Sequence, residues 1–138
     1  MNRRDLQLLS RIRKREAKVL FDAGNFAGGY YLLGYAVECA IKAAIAKQVR
    51  RYDFPDKRTV QDSYTHDLQS LMKTAALWNV LNAAMAASPA LQLNWAVVKD
   101  WSEQSRYDLQ ISAVQARDFY SACTSRTNGL LSWLKNYW

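Results

Sequence analysis

One apolar segment, residues 26–48, limits what this chain can fold into more than any other feature. It reads FAGGYYLLGYAVECAIKAAIAKQ, with apolar side chains on nearly every face of a helix plotted at 100° per residue. A helix that is apolar all round has to be covered by other elements, so we expect Phe26–Gln48 to be the central helix of a bundle. Its glycines lower helix propensity and predict close approach of neighbouring helices. They are Gly28, Gly29 and Gly34.

The segments around this helix also show helical spacing, and none alternates with the period of two that marks a β-strand. Residues 2–23 predict a long amphipathic helix that ends at Gly24-Asn25. Its predicted core positions are Leu6, Leu9, Ile12, Val19, Leu20 and Ala23. Residues 49–63 are polar and contain Pro55, and this composition predicts a loop.

Further helical segments are predicted after this loop. The first begins near Thr65 and runs into an Ala-rich continuation that Pro89 ends. A short piece covers Leu93–Gln104, and a long last helix covers Ala113–Lys135. A chain of 138 residues is long enough for one domain with a core of its own. The prediction is therefore an all-α protein, an up-down four-helix bundle with one or two extra short helices, in a single domain over residues 1–138.

The positive charge of the chain is confined to its first part. Of a net charge of +7, the whole excess lies in residues 1–58, which hold 13 bases and 6 acids, whereas residues 59–138 hold 6 of each. Four bases of the first helix share the face opposite the apolar stripe. They are Arg4, Arg11, Arg15 and Lys18. A basic face of this kind favours a polyanion or an acidic protein surface as the partner.

Several common classes of protein and site are absent from the sequence. The N-terminal residues lack the apolar core of a signal peptide, and the most apolar stretches, Phe26–Ile41 and Trp78–Val98, fall short of a membrane-spanning helix. We therefore expect a cytoplasmic protein with no membrane partner. Neither a P-loop nor a dinucleotide fingerprint occurs, and with one histidine we expect no metal site and no cofactor. Cys39 and Cys123 are expected to be free, buried thiols.

Two carboxylates lie inside predicted apolar stripes and need partners, because burying an unpaired carboxylate costs several kcal/mol. They are Glu16 in the first helix and Glu38 in the central helix. Lys42 follows Glu38 by four residues, in the favourable order for a helical ion pair. Other candidate partners are Arg13, Arg106 and the hydroxyls of Tyr30, Tyr31 and Tyr35. Two interpretations stay open: a polar network that sets helix register, or groups that face a ligand groove.

His66 and Asp67 open the third predicted helix, directly after a basic loop. The basic residues of this loop are Arg50, Arg51, Lys57 and Arg58. A histidine at a helix N-terminus is kept neutral by the dipole and can act as an acceptor or base; alternatively, His66 only caps the helix. A second cluster precedes the last helix and either packs around an Arg–Glu pair or holds a base or phosphate. It consists of Trp95, Trp101, Glu103, Arg106 and Tyr107.

Four stretches of the sequence together resemble HEPN-domain proteins over about residues 8–136. They read GNFAGGYYLLGYAVECAIKAAIAK, THDLQSL, WSEQSRY and GLLSWLK. The resemblance implies an up-down four-helix bundle with an extra short helix, commonly assembled as a homodimer. It also implies binding of a nucleotide or RNA. Many members are encoded beside a small nucleotidyltransferase, as toxin–antitoxin or defence pairs, so a nucleotidyltransferase partner is expected by the same resemblance.

The catalytic members of that family are metal-independent ribonucleases with an Arg-x4–6-His motif near the start of the final helix, and this chain departs from the motif. Its only histidine, His66, follows Arg58 with seven residues between them, in a different helix. Behind Arg106 the expected positions hold Ile111, Ser112 and Ala113. The catalytic pair therefore does not carry over. The residues that do match the shared motifs are Glu38, Lys42, His66 and Asp67.

The sequence thus supports three hypotheses. The first is a non-catalytic HEPN-type module that binds a nucleotide or RNA and works with a partner protein, with Glu38, Lys42, His66, Asp67 and Arg106 as candidate ligand-binding residues. The second is a divergent metal-independent ribonuclease in which His66 acts with Arg58 or with an arginine of a second subunit. The third is a structural or antitoxin-type domain whose basic face meets an acidic protein.

Overall fold

The computed structural model describes residues 1–49 and 53–138, and these residues form α-helices, one 3-10 helix and no β-strand. The helices, in chain order, are α1 (Arg3–Asp22), α2 (Phe26–Gln48), α3 (Lys57–Asp62), α4 (Leu68–Thr74), α5 (Trp78–Ala87), α6 (Pro89–Val98), the 3-10 helix (Glu103–Tyr107), α7 (Ala113–Thr124) and α8 (Leu130–Leu134). The all-α prediction is confirmed. The up-down arrangement of four helices stays a prediction.

Helix α2 is the centre of the molecule, as its composition predicts. It begins and ends at the predicted residues and packs against α1, α4, α7, α8 and the 3-10 helix. The close approach predicted at its glycines is made by aromatic rings. A Cβ atom on Gly34 would lie 1.9 Å from the indole of Trp101, and one on Gly29 would lie 2.6 Å from the ring of Phe21. Both positions therefore need glycine for steric reasons.

Helix α1 begins at a capping box, in which Asn2 and Asp5 bind each other's backbone N–H groups. Its buried residues are Ser10 and Ala17, and the Ser10 hydroxyl donates a hydrogen bond of 2.7 Å to the carbonyl of Ala36. The predicted core stripe is wrong at its C-terminal end, where Val19 is 67% exposed and Ala23 is also exposed. The contact with α2 is made by the small residues Ser10 and Ala17 together with larger ones such as Phe21, and Val19 takes no part in it.

The predicted later helices are broken into shorter pieces, and each break has a local cause. Helix α4 stops where Ala76 takes a positive φ of 55°. The Ala-rich helix α5 ends at Ala87, directly before Ser88-Pro89 as predicted, and Pro89 then begins α6, since proline suits the first turn and Ser88 caps it. The predicted last helix stops at Thr124, and α8 restarts after Gly129. A Cβ atom on Gly129 would meet the Ser125 carbonyl at 2.4 Å.

The predicted loop 49–63 contains a short helix, α3, because the Asp56 side chain caps it at Thr59. Of the basic residues predicted there, Arg50 and Arg51 lie outside the described residues, whereas Lys57 and Arg58 belong to α3. Cys39 and Cys123 are both free and buried, as expected. Among the residues described, no helix has the length and apolar character that crossing a membrane requires.

Candidate functional site

A buried carboxylate with a lysine and a histidine as its partners lies at the centre of the first candidate site. Glu38, on the covered face of α2, is 3% exposed. Lys42 Nζ donates to Glu38 Oε1 at 2.8 Å, and His66 Nδ1 lies 2.9 Å from Glu38 Oε2. Each carboxylate oxygen thus has one partner, which offsets the cost of removing the charge from water. We call Glu38, Lys42 and His66 the Glu38 cluster.

His66 reaches α2 because the residues after it hold α4 in place. The Asp67 side chain caps α4 by accepting a hydrogen bond of 2.7 Å from the Ser70 N–H, while Leu68 and Leu71 pack into the core. This bond to Ser70 lowers the pKa of Asp67. The alternative that His66 is the cap is therefore wrong, because Asp67 fills that position. Asp67, a predicted ligand-binding residue, has one carboxylate oxygen committed to its own helix.

The second nitrogen of His66 faces the outside of the cluster. A carboxylate only accepts hydrogen bonds, so the pairing with Glu38 places a proton on Nδ1 and leaves Nε2 as the acceptor of the neutral ring. The side chain of His66 is 42% exposed, so the ring is reached by solvent on part of its surface. This arrangement, a buried carboxylate that orients a half-exposed imidazole, is suited to moving a proton.

Aromatic rings form one wall beside the Glu38 cluster. Tyr35 packs edge-on against His66 at 5.7 Å and against Trp101 at 5.4 Å, with Tyr31 on its other side at 5.0 Å. Burial is the main cause of a raised pKa at Tyr35, and Tyr31 adds to it, so its hydroxyl stays protonated. The indole N–H of Trp101 is buried and has no hydrogen-bond partner among residues 1–49 and 53–138. Its ring is held there by contact with Gly34.

Arg106 lies at the outer end of this wall and not in the Glu38 cluster. A side-chain hydrogen bond with Tyr31 is the main cause of a raised pKa at Arg106, and its guanidinium lies 4.8 Å above the ring of Tyr107. Of the candidate carboxylate partners, Arg13 pairs with Glu16 at 2.6 Å on the half-exposed surface of α1. The expectation that Glu16 has a partner is therefore confirmed, although its side chain is 43% exposed and not buried in the apolar stripe.

The predicted pair of Arg58 and His66 does not form within one chain. Arg58 lies on α3, where its side chain is 91% exposed and its guanidinium lies 3.6 Å from Asp62. No hydrogen bond or salt bridge joins it to His66, whose charged neighbour is Glu38. The two residues face different surroundings because α3 and α4 are separate helices.

Of the four residues predicted to form the basic face of α1, two line a groove and two do not. Arg11 and Arg15 line a groove between α1 and the C-terminal residues. Lys18 pairs instead with Asp22 at 2.8 Å, beside an apolar cavity, and Arg4 is exposed outside the groove. Two of the four residues therefore line the groove and two lie outside it, because they are spread along the length of α1.

The groove, which we call the basic groove, has a volume of about 420 Å³ and lies against α8. It is lined by Leu8, Ser10, Arg11, Lys14, Arg15, Leu131, Lys135 and Trp138. Four of these residues are cationic and none is acidic. Sequence reasoning missed Lys14 and Lys135, since the helical spacing on α1 alone does not show that α8 lies beside it.

Contacts at the floor of the basic groove position one of its cations, Arg11. The Arg11 guanidinium lies 5.2 Å above the ring of Trp138, and Arg3 donates to the main-chain oxygen of Trp138 at 2.5 Å. Burial, together with the nearby charge of Lys135, lowers the pKa of Lys14. None of the four cations of the groove forms a salt bridge with any residue of ranges 1–49 and 53–138. Their charge is therefore free to bind an anion.

Comparison of the chain with protein-family models, with curated proteins and with solved structures finds no match. In the described part of the chain, no three His, Cys, Asp or Glu side chains cluster in a way that could hold a metal ion. The two sites that the structure brings together are the Glu38 cluster with its aromatic wall and the basic groove.

Proposed function

We propose that this protein is a non-catalytic, HEPN-type module that binds a nucleotide or RNA in its basic groove and works with a partner protein. The observation that carries the proposal is the convergence of four unpaired cations, and no acid, on one groove of about 420 Å³. A volume of this size accommodates a small ligand or one part of a larger one.

The chemistry of the groove supports a phosphate ligand. Arg11 and Arg15 supply planar guanidinium groups, which bind phosphate oxygens through two parallel hydrogen bonds, and Lys14 and Lys135 supply point charges. Leu8 and Leu131 supply apolar surface beside them, which suits the sugar of a nucleotide. Binding dominated by phosphates weakens steeply as salt rises, because bound counterions are released on association.

The test is the affinity of pure protein for labelled single-stranded RNA in EDTA, measured at low and at high salt. We expect salt-sensitive binding that is lost in the double variant Arg11→Glu with Arg15→Glu. The matched control is Lys99→Glu with Arg117→Glu, which changes the net charge equally at two exposed residues outside the groove. Equal losses in both double variants, or an affinity that salt does not change, would contradict binding in the groove.

A divergent metal-independent ribonuclease is the second candidate, and the pairing of Glu38 with His66 favours it. A general base needs an oriented imidazole with one free nitrogen, and His66 has that geometry. The same RNA samples test this function, since cleavage in EDTA is read beside binding. Full cleavage by the His66→Ala variant would contradict the ribonuclease hypothesis. Cleavage that is lost in His66→Ala and kept in Arg58→Ala would favour a nuclease over the non-catalytic binding module.

Exposed apolar side chains near α3 suggest where a partner protein binds. Exposed apolar residues at the α3 end, Phe54 at 99% and Tyr64 at 86%, support a protein interface, either in a homodimer or with a nucleotidyltransferase partner. Light scattering at high micromolar concentration tests the homodimer, and a monomer there would contradict it. A protein that co-purifies in equal amount, without bound nucleotide, would instead favour the structural or antitoxin-type domain.

A further inference from the structure

We infer that the basic groove selects a terminal phosphate group that carries several charges, such as the 5′-triphosphate of an RNA or of a free nucleotide, over the internal phosphodiesters of RNA. This inference rests on the proposed function and narrows it to one chemical class of ligand. It depends on how much positive charge the groove holds, how closely that charge is confined, and how little of it is compensated.

The groove has a high density of positive charge. Arg11, Lys14 and Arg15 come from adjacent turns of α1, and Lys135 comes from the end of α8, so four positive charges share about 420 Å³. An internal phosphodiester carries one negative charge, and a sugar separates it from the next. A groove of this volume therefore holds few internal phosphates, whereas a triphosphate brings three or four negative charges into the same space.

The positive charges of the groove repel one another when no anion is bound. The positive charge of Lys135 and the burial around Lys14 both disfavour the charged form of Lys14 and lower its pKa. No acidic side chain lines the groove to relieve the repulsion. A multiply charged anion relieves it more fully than a singly charged one, and the relief becomes part of the free energy of binding.

The floor of the groove is formed by a buried indole ring. The Trp138 ring is 9% exposed and lies under the Arg11 guanidinium, so it is a floor for the cation and not a platform on which a base can stack. Recognition is therefore assigned to the phosphates. The hydrogen bond from Arg3 to the main-chain oxygen of Trp138 ties this floor to α1.

The experiment compares one RNA sequence prepared with a 5′-triphosphate, a 5′-monophosphate or a 5′-hydroxyl end. We expect the affinity to rise in the order hydroxyl, monophosphate, triphosphate, with about a tenfold difference between the extremes, as charge-assisted hydrogen bonds provide. The variant Lys14→Met with Lys135→Met keeps the length of both side chains and is expected to lose this preference. The control Lys57→Met with Lys99→Met, at exposed residues outside the groove, is expected to keep it.

Competition with inorganic triphosphate and with ATP separates the two sources of the group. ATP that binds as tightly as the 5′-triphosphate RNA supports a free nucleotide, and much weaker binding of ATP supports an RNA end. Equal affinity for the three RNAs would overturn the inference while leaving the proposed function intact, provided that Arg11→Glu with Arg15→Glu still abolishes binding. Failure of all three RNAs and of ATP to bind would overturn both.

Discussion

Replacing Gly34 by alanine tests the packing that holds the aromatic wall beside the Glu38 cluster. The added Cβ would lie 1.9 Å from Cε2 and Nε1 of Trp101, about half of an ordinary van der Waals contact. Trp101 is 2% exposed, so the ring has no free space into which it can turn. The substitution must therefore move the indole or the backbone of α2. Because Trp101 packs on Tyr35 and Tyr35 packs on His66, the disturbance reaches the site.

The magnitude follows from two opposing terms. Overpacking of a filled core costs about 1–3 kcal/mol, and a contact this short places Gly34→Ala at the upper end of that range. Alanine is preferred to glycine inside a helix by about 1 kcal/mol. We therefore expect Gly34→Ala to lower the free energy of unfolding by about 2 kcal/mol. In a Trp101→Ala background the clash is absent, so the same change should raise it by up to about 1 kcal/mol.

Urea unfolding followed by circular dichroism measures all four corners of this double-mutant cycle. The control is Gly24→Ala, where nothing lies within 4 Å of the added Cβ and the only cost is a positive φ of 79°. Its cost should be the same with or without Trp101. Gly34→Ala that destabilises equally in both backgrounds would refute the steric explanation, because the loss would then come from the backbone and not from the indole.

Three further predictions concern the buried polar groups. Lys42→Met removes one partner of Glu38 and should lower the free energy of unfolding by about 1–3 kcal/mol, whereas Lys47→Met, at an exposed residue, should change it by less than about 0.5 kcal/mol in urea melts. Burial raises the pKa of Tyr30 to about 12, so the neutral phenol is favoured in the folded state and stability should fall from about pH 10 to 12; Tyr30→Phe should flatten this fall. Burial also raises the pKa of Cys39 to about 11, so a thiol reagent at neutral pH should label the protein only after unfolding, and fast labelling of the native state would contradict its burial.

Local patterns account for the parts of the fold and site that were predicted correctly. The bounds of α2 follow from its continuous apolar character, and the Glu38–Lys42 pair follows from a four-residue spacing on one helix. The errors at Glu16 and Val19 share a cause. Periodicity shows that α1 has an apolar stripe, but it does not show which part of the stripe α2 covers. In the structure α2 covers Ser10 and Ala17 and leaves Val19 exposed.

The sequence by itself determined that this protein is helical, that α2 is its core and that Lys42 is a candidate partner of Glu38, because each of these depends on neighbours along one helix. Only the tertiary structure decided that His66 is the second partner of Glu38, 28 residues away in the chain. It also decided that Arg11 and Arg15 share a groove with Lys135 and Trp138, while Lys18 on the same helix is excluded. The physical reason is that charged residues on separate helices come together only when the whole core packs. The distance between such residues along the chain follows no fixed spacing, so no sequence pattern reveals the contact.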